Sequence, residues 1–151
     1  MKDTFDDIPA RKAWMSLLAR APAGRIAVLL DAAMDRPTFK WLRVPEIGST
    51  MVQGRAGGTG APFNLGELTV TRCALTLETG EVGHAYIQGR RKADAEAAAL
   101  VDALMQGRAA EQVRAAVLDP LETELAAKRS TRAAKAAATK VEFFTMTRGE
   151  D

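Results

Sequence analysis

Residues 67–77 read ELTVTRCALTL and are followed by ETGE at 78–81 and by VGHAYIQ at 82–88. The first segment alternates its side chains with a period of two, which is typical of a β-strand. One face carries Thr69, Thr71, Cys73, Leu75 and Leu77, and the other carries Leu68, Val70, Arg72, Ala74 and Thr76. Gly80 suits the turn of a hairpin. We therefore expect an antiparallel hairpin at the centre of the fold.

Two further strands are expected upstream of this hairpin. The segment TFKWLRV at 38–44 also has a period of two, with Phe39, Trp41 and Arg43 alternating with Lys40 and Leu42. The second upstream strand is expected at 49–54. Together with the hairpin, these segments predict an antiparallel sheet of about four strands.

Helical patterns lie on both sides of the strand region. Asp6 and Asp7 precede Pro9, as at a helix start, and Pro22 separates this first helix from a second one. From Lys92 onward a stripe with helical spacing is formed by Ala93, Ala97, Leu100, Val101 and Leu104. Its small residues permit close packing on a sheet. The fold class expected is α+β, with two short N-terminal helices and one helix packed on the sheet.

The C-terminal part of the sequence differs in composition from the rest. The segment KRSTRAAKAAATK at 128–140 has five basic residues, no acidic ones and only alanine as apolar content, so it is helical but buries little surface. It is followed by VEFFTMTRGED at 141–151, in which Phe143, Phe144 and Met146 are large and apolar. We expect residues 1–119 to form one domain and residues 120–151 an arm that docks on a partner.

Composition limits the classes of protein that this chain can be. Its 151 residues are 47% apolar and carry a net charge of +2, which fits one ordinary domain and gives no general argument for a nucleic-acid or membrane partner. Cys73 is the only cysteine, so an intrachain disulfide is excluded and a cysteine zinc site is not expected. The early aspartates, and the lack of a run of about 18 apolar residues, predict a cytoplasmic protein.

The segment QGRAGGTGAPFNLGE at 53–67 has the densest glycine cluster in the chain. It is neither a P-loop nor a dinucleotide-binding fingerprint, because the required spacing and the following residues are missing. The residues that we predict to bind an anion or form an interface are Arg55, Gly57, Gly58, Thr59, Gly60, Arg72 and Arg90. If these arginines and Arg43 converge, they make a phosphate site. The alternative, which we favour, is that each pairs with a nearby acid such as Glu46 or Glu67.

Other chemistry-bearing residues have mainly structural interpretations. His84 has no second histidine to share a metal with, and Cys73 lies mid-strand as a small buried apolar residue. No triad or carboxylate pair stands out, so we predict no catalytic residue, metal site or cofactor. The basic residues Lys128, Arg129, Arg132, Lys135 and Lys140 lack interleaved aromatics, which favours a solvated or partner-docking helix over nucleic-acid binding.

Four segments together resemble the PhnG family, a subunit of the bacterial carbon-phosphorus lyase core complex. They are EIGSTMVQGRAGGTGAPFNLGELTVTRCAL at 46–75, GEVGHAYIQGR at 80–90, ADAEAAALVDALMQ at 93–106 and VEFFTMTRG at 141–149. The similarity is strongest over 43–106 and 141–149 and looser over 107–140. Within it, Arg55, Gly57, Gly58, Thr59 and Gly60 match the family's glycine motif.

The resemblance implies membership of an assembly with the family's H, I and J subunits, in two copies each, that breaks down alkylphosphonates. In that pathway, phosphonate displaces adenine from ATP to give ribose 1-methylphosphonate 5-triphosphate. The family places nucleosidase chemistry mainly on the I subunit and iron-sulfur radical chemistry on the J subunit. An accessory subunit without catalysis of its own is therefore expected, with the glycine motif meeting either triphosphate or, as we favour, a neighbouring subunit. The competing hypothesis is a stand-alone phosphate- or nucleic-acid-binding module.

Overall fold

The computed structural model describes residues 8–141. Its elements, in chain order, are α1 (Ile8–Ala19), α2 (Arg25–Ala33), β1 (Phe39–Arg55), β2 (Pro62–Leu77), β3 (Val82–Gln88), α3 (Lys92–Leu104), α4 (Ala110–Val113) and α5 (Asp119–Ala138). The fold is α+β, as the sequence predicts. None of the described helices combines the length and the apolar character needed to cross a membrane.

The sheet has three antiparallel strands in the order β1-β2-β3 among the described residues. Four of the residues that the alternation places on one face, Thr71, Cys73, Leu75 and Leu77, are all buried. The expected count of about four strands was wrong, because the segments at 38–44 and 49–54 belong to the single 17-residue strand β1. Pro45 interrupts the sequence pattern, but β1 is an edge strand in which a proline is tolerated.

Helix α3 covers the core face of the sheet. Ten of its 13 residues are buried, most of them alanine, leucine or valine. The contact with β3 is so close that a Cβ atom at Gly83 would overlap the carbonyl oxygen of Ala99. Small residues on the helix and a glycine on the strand therefore allow helix and sheet to approach each other.

The remaining helices complete the core on the far side of α3. Trp14 and Leu18 of α1, Ile26 and Leu30 of α2, and Leu121 of α5 all join the same buried cluster. A π-helical turn at Arg114–Leu118 connects α4 to α5. Pro120 lies in the first turn of α5, where a proline without an N–H is tolerated.

Strands β1 and β2 extend beyond the end of β3. The partners of β3 on β2 run only from Val70 to Thr76, whereas β2 pairs with β1 as far out as Pro62. We call residues 50–68 the outer ribbon: two strands joined by a glycine-rich tip. Seven residues of strand make it about 23 Å long. Its residues are exposed apart from Gly54, Gly60 and Leu68, which are half-buried.

Candidate functional site

The outer ribbon carries large apolar side chains in solvent. Leu65 is 63% exposed, Met51 49%, Phe63 46% and Val52 38%. A two-stranded ribbon has no second layer to cover it, and it is only marginally stable unless something packs against it. Phe63 and Leu65 lie side by side next to Gly54, whereas Met51 and Val52, as neighbours in one strand, point to opposite faces. Exposed apolar surface on a soluble protein marks an interaction site. The ribbon is therefore the candidate interface of this chain.

The glycines shape the tip of the ribbon. Gly57 and Gly58 have φ angles of 62° and 81°, which are left-handed conformations that favour glycine. A Cβ atom at Gly60 would lie 2.7 Å from the carbonyl oxygen of Ala56, and the Gly60 N–H donates to that same oxygen at 2.9 Å. Arg55 closes the turn by donating from Nη1 to the Gly60 carbonyl at 3.2 Å.

The predicted arginines do not meet at one place. Arg72 donates to Glu46 Oε1 at 2.7 Å, and Arg43 lies 3.0 Å from the same carboxylate oxygen. The hydrogen bond to Glu46 raises the pKa of the Arg72 guanidinium above its ordinary value. Pro62 pairs with Arg55 and lies ten strand residues from Arg72, which is about 33 Å. Arg72 and Arg43 thus pair with an acid, as the favoured alternative predicts.

Arg90 is exposed in the turn that follows β3. It lies two residues beyond the end of β3, whereas Arg72 pairs with Tyr86 within that strand. The structure places Arg55, Arg72 and Arg90 at three separate positions, and their roles in anion binding or in an interface stay predictions.

Asp102 is a buried carboxylate that the sequence analysis missed. Its side chain is fully buried and accepts from Arg11 Nη2 at 2.8 Å, Arg11 Nε at 3.1 Å, Trp14 Nε1 at 2.8 Å and the His84 N–H at 2.8 Å. These bonds tie α1 to α3 and to β3. The sequence does contain a sign of this role, namely an aspartate within the apolar run of α3. A carboxylate buried there requires several donors.

Asp94 has a similar role at the start of α3. It accepts from the Gly24 N–H at 2.9 Å and lies 3.3 Å from Arg91 Nη1. Arg91 also donates to the Ala21 carbonyl at 3.0 Å. Among the described residues, every buried polar side-chain atom has a hydrogen-bond partner. These carboxylates therefore act as structural links between helices.

Cys73 is buried, as the sequence predicts, whereas the structural role expected for His84 stays a prediction. Cys73 is 3% exposed, and its Sγ donates to the Ala95 carbonyl at 3.2 Å. Burial, with a smaller contribution from Glu96, raises the pKa of this thiol to about 12, so it stays protonated at neutral pH. The His84 side chain is exposed, and residues 8–141 hold no cluster of three metal-ligating side chains.

Among the described residues, helix α5 is anchored at its base. Leu121 is fully buried, and Arg25 Nη2 donates to Glu124 at 2.6 Å. Every residue from 126 to 141 is exposed, including the basic ones at 128, 129, 132, 135 and 140. Phe143, Phe144 and Met146, the predicted docking residues, lie outside the described part of the chain. The division into a domain at 1–119 and an arm at 120–151 stays a prediction.

Comparisons with known proteins match nearly the whole chain. Residues 9–149 match the family model described as phosphonate metabolism protein PhnG. A protein of Rhizobium meliloti (strain 1021), named alpha-D-ribose 1-methylphosphonate 5-triphosphate synthase subunit PhnG, is 45% identical over 150 residues. That alignment covers 98% of this chain and 96% of the relative.

Proposed function

The chain belongs to the family of the phosphonate metabolism protein PhnG, and from that premise we propose that it is an accessory subunit of a ribose 1-methylphosphonate 5-triphosphate synthase. In this proposal it supports the reaction of ATP with an alkylphosphonate on a partner's active site and does not catalyse that reaction alone. Its carboxylates Asp94 and Asp102 are engaged in holding helices together. Such groups stabilise a subunit rather than move protons.

The outer ribbon is the observation that carries the proposal. Met51, Val52, Phe63 and Leu65 are 38–63% exposed in this chain, and a large apolar side chain is worth roughly 1.5–3 kcal/mol when it becomes fully buried. A partner that covers all four therefore gains several kcal/mol of association free energy. We infer that the glycine tip, including Arg55, enters the same interface.

The partners in this proposal are the H, I and J subunits of the same pathway, in two copies each, acting in the cytoplasm. The residues 120–151 extend from the domain and dock through Phe143, Phe144 and Met146 on the I subunit or on a second copy of this chain. Arg72 and Arg90, which lie away from the tip, contact a partner or an anion held by one. No nucleic acid, membrane, metal or cofactor is required.

Co-purification tests this proposal directly. The chain is co-expressed with the H, I and J subunits, and the recovered subunits and synthase activity are measured for Phe63→Ser/Leu65→Ser. We expect this variant to fold but to lose its partners. Val28→Ser is the matched control, because Val28 is 58% exposed on α2, away from the ribbon. Turnover of ATP with a phosphonate by the isolated chain, or full assembly of the ribbon variant, contradicts the proposal.

One observation favours a second candidate, a stand-alone phosphate- or nucleic-acid-binding module. The basic residues at 128, 129, 132, 135 and 140 are all exposed on or just after α5, and a cluster of cations attracts polyanions. Tight binding of an oligonucleotide or polyphosphate by the isolated chain, lost on neutralising these residues, supports this candidate. Recovery of the chain in a stable complex with the other subunits supports the first.

A further inference from the structure

A groove lies between α1 and the free edge of β3. It has a volume of about 650 Å³ and a mostly apolar lining. Ile8, Met15 and Ala19 line the α1 side, Ala85 and Ile87 the strand side, and Ala98 of α3 also contributes to its lining. The ribbon does not take part in it, so this groove is a second surface, separate from the candidate interface.

The strand side of the groove presents backbone groups without a partner. The Gly89 N–H donates to the Thr69 carbonyl and the Leu77 N–H to the Glu81 carbonyl. In an antiparallel ladder, hydrogen-bonded pairs recur at every second residue. Residues 83, 85 and 87 therefore bond to β2, and the N–H and C=O groups of 82, 84, 86 and 88 point to the free edge.

Side chains of the described residues engage one edge group each at Val82, His84 and Gln88, but none at Tyr86. The Val82 carbonyl accepts from Arg11 and Gln106, the His84 N–H donates to Asp102, and the Gln88 carbonyl accepts from Arg91. Within residues 8–141, no partner is seen for the Tyr86 N–H or for its carbonyl oxygen. Unpaired groups of this kind are a template for an added strand.

The other free edge of the sheet is less suited to strand addition. Strand β1 has register shifts between Trp41 and Arg43, between Arg43 and Glu46, and between Val52 and Gln53, and Pro45 lies among them. Bulges and prolines are the devices that prevent edge-to-edge pairing. The groove edge of β3 has neither, and its apolar walls add surface for the side chains of an incoming segment.

We propose that this groove receives residues 141–147 of a second copy of this chain, which add to β3 as a short strand. This proposal specifies where the C-terminal arm of the proposed function docks, and it rests on the two copies of the chain in that function. The segment reads VEFFTMT, which is rich in β-formers. An extended chain puts Phe143 and Thr145 on one face and Glu142, Phe144 and Met146 on the other. Glu142 complements Lys12, which lines the groove.

The course of α5 favours a second copy over the chain's own segment. Helix α5 lies on the opposite flank of α1, where Ala13 and Leu17 line a separate depression together with Leu125 and Arg129. From Arg129 to Ala138 the helix carries the chain about 13 Å further. The two residues 139–140 are too few to bring the chain's own segment from there back around α1 to the groove.

Proline substitution at Tyr86 tests the added strand. The Tyr86 N–H bonds to no described residue, so Tyr86→Pro removes the donor needed by an incoming strand without breaking a bond of its own sheet. We expect the wild-type chain to sediment as a dimer, and Tyr86→Pro to dimerise at least roughly tenfold more weakly. Tyr86→Thr, which keeps the N–H, is the matched control and should stay dimeric.

A mixing experiment separates exchange between copies from the other outcomes. A chain ending at Lys140 has an intact groove and no segment, whereas Tyr86→Pro has an intact segment and a defective groove. Each should dimerise more weakly than the wild-type chain, and their mixture should form a heterodimer in which the segment of Tyr86→Pro occupies the groove of the truncated chain. A monomeric wild-type chain, or a mixture without heterodimer, overturns the inference.

A further variant keeps the test decisive if circular dichroism shows that Tyr86→Pro is unfolded. Lys12→Glu changes an exposed residue on the groove side of α1 and should weaken the dimer several-fold, with a loss of its salt dependence. A dimer that this change leaves as tight as wild type overturns the inference. Co-purification with the H, I and J subunits is scored separately, and failure of that assay counts against the proposed function instead.

Discussion

Replacing Asp102 with alanine should be among the most destabilising single changes in this chain. The substitution removes the acceptor of the Trp14 indole N–H and of the His84 backbone N–H, and the partner of Arg11. The Trp14 side chain is almost buried, with 8% of the residue exposed. The Arg11 side chain is 34% exposed, so it can turn to water and adds little to the cost.

The expected magnitude follows from these groups. A buried donor without a partner costs roughly 1–3 kcal/mol, and two such donors give about 4 kcal/mol. Total stabilities of domains are about 5–15 kcal/mol, so this is a large fraction. For a chain of this length, each kcal/mol lowers Tm by roughly 2–4 °C. Asp102→Ala should therefore lower Tm by about 8–16 °C in thermal denaturation followed by circular dichroism.

The matched control is Asp31→Ala. Asp31 also accepts from Nε and Nη2 of one arginine, Arg36, at 2.7 and 3.2 Å, but its side chain is 53% exposed. Water replaces the lost bonds at an exposed carboxylate, so its Tm should stay close to wild type. Equal Tm values for the two variants would refute the role given to Asp102.

Three further outcomes are expected. Arg55→Ala should leave the Tm of this chain unchanged, because the residue is exposed and bonds only to the tip, and it should lower the activity of the assembled complex. Gly60→Ala should weaken co-purification more than Gly66→Ala, since Gly60 lacks room for a Cβ atom and Gly66 does not. The pKa of the Cys73 thiol is raised from 9.0 to about 12 in the folded state. The contribution of this thiol to stability is therefore present below pH 9 and is lost as the pH rises from 9 towards 12. Between about pH 9 and 11, the unfolding free energy of Cys73→Ala should decrease less than that of the wild-type chain.

The sequence predicts the local structure well where one periodicity holds over a long segment. The alternation in 67–77 identifies a strand, and the stripe from Lys92 identifies α3, because each pattern is set by burial on one side. Pro45 and Gly48 break the alternation of β1, and so one bent strand reads as two. Bulges are not visible in a single sequence, because they depend on the partner strand.

The candidate site shows a different limit of sequence reasoning. Four arginines near strand ends leave open whether they converge or pair with nearby acids, and the length of the ribbon, which separates Arg55 from Arg72, is not readable from the sequence. Asp102 and its donors come from α1, β3 and α3, up to 91 residues apart in the chain. No local pattern encodes such contacts. The exposure of Phe63 and Leu65 likewise depends on where β3 ends.

Amide hydrogen exchange of the chain alone and within the assembled complex tests most directly whether the outer ribbon is the interface of an accessory subunit. The ribbon amides at 50–55 and 62–68 should exchange rapidly in the isolated chain, because a two-stranded ribbon without a covering layer opens easily. On assembly with the H, I and J subunits they should become strongly protected, while amides of α2 around Val28 should not change. Ribbon amides that exchange equally fast in the isolated chain and in the complete complex would contradict the account.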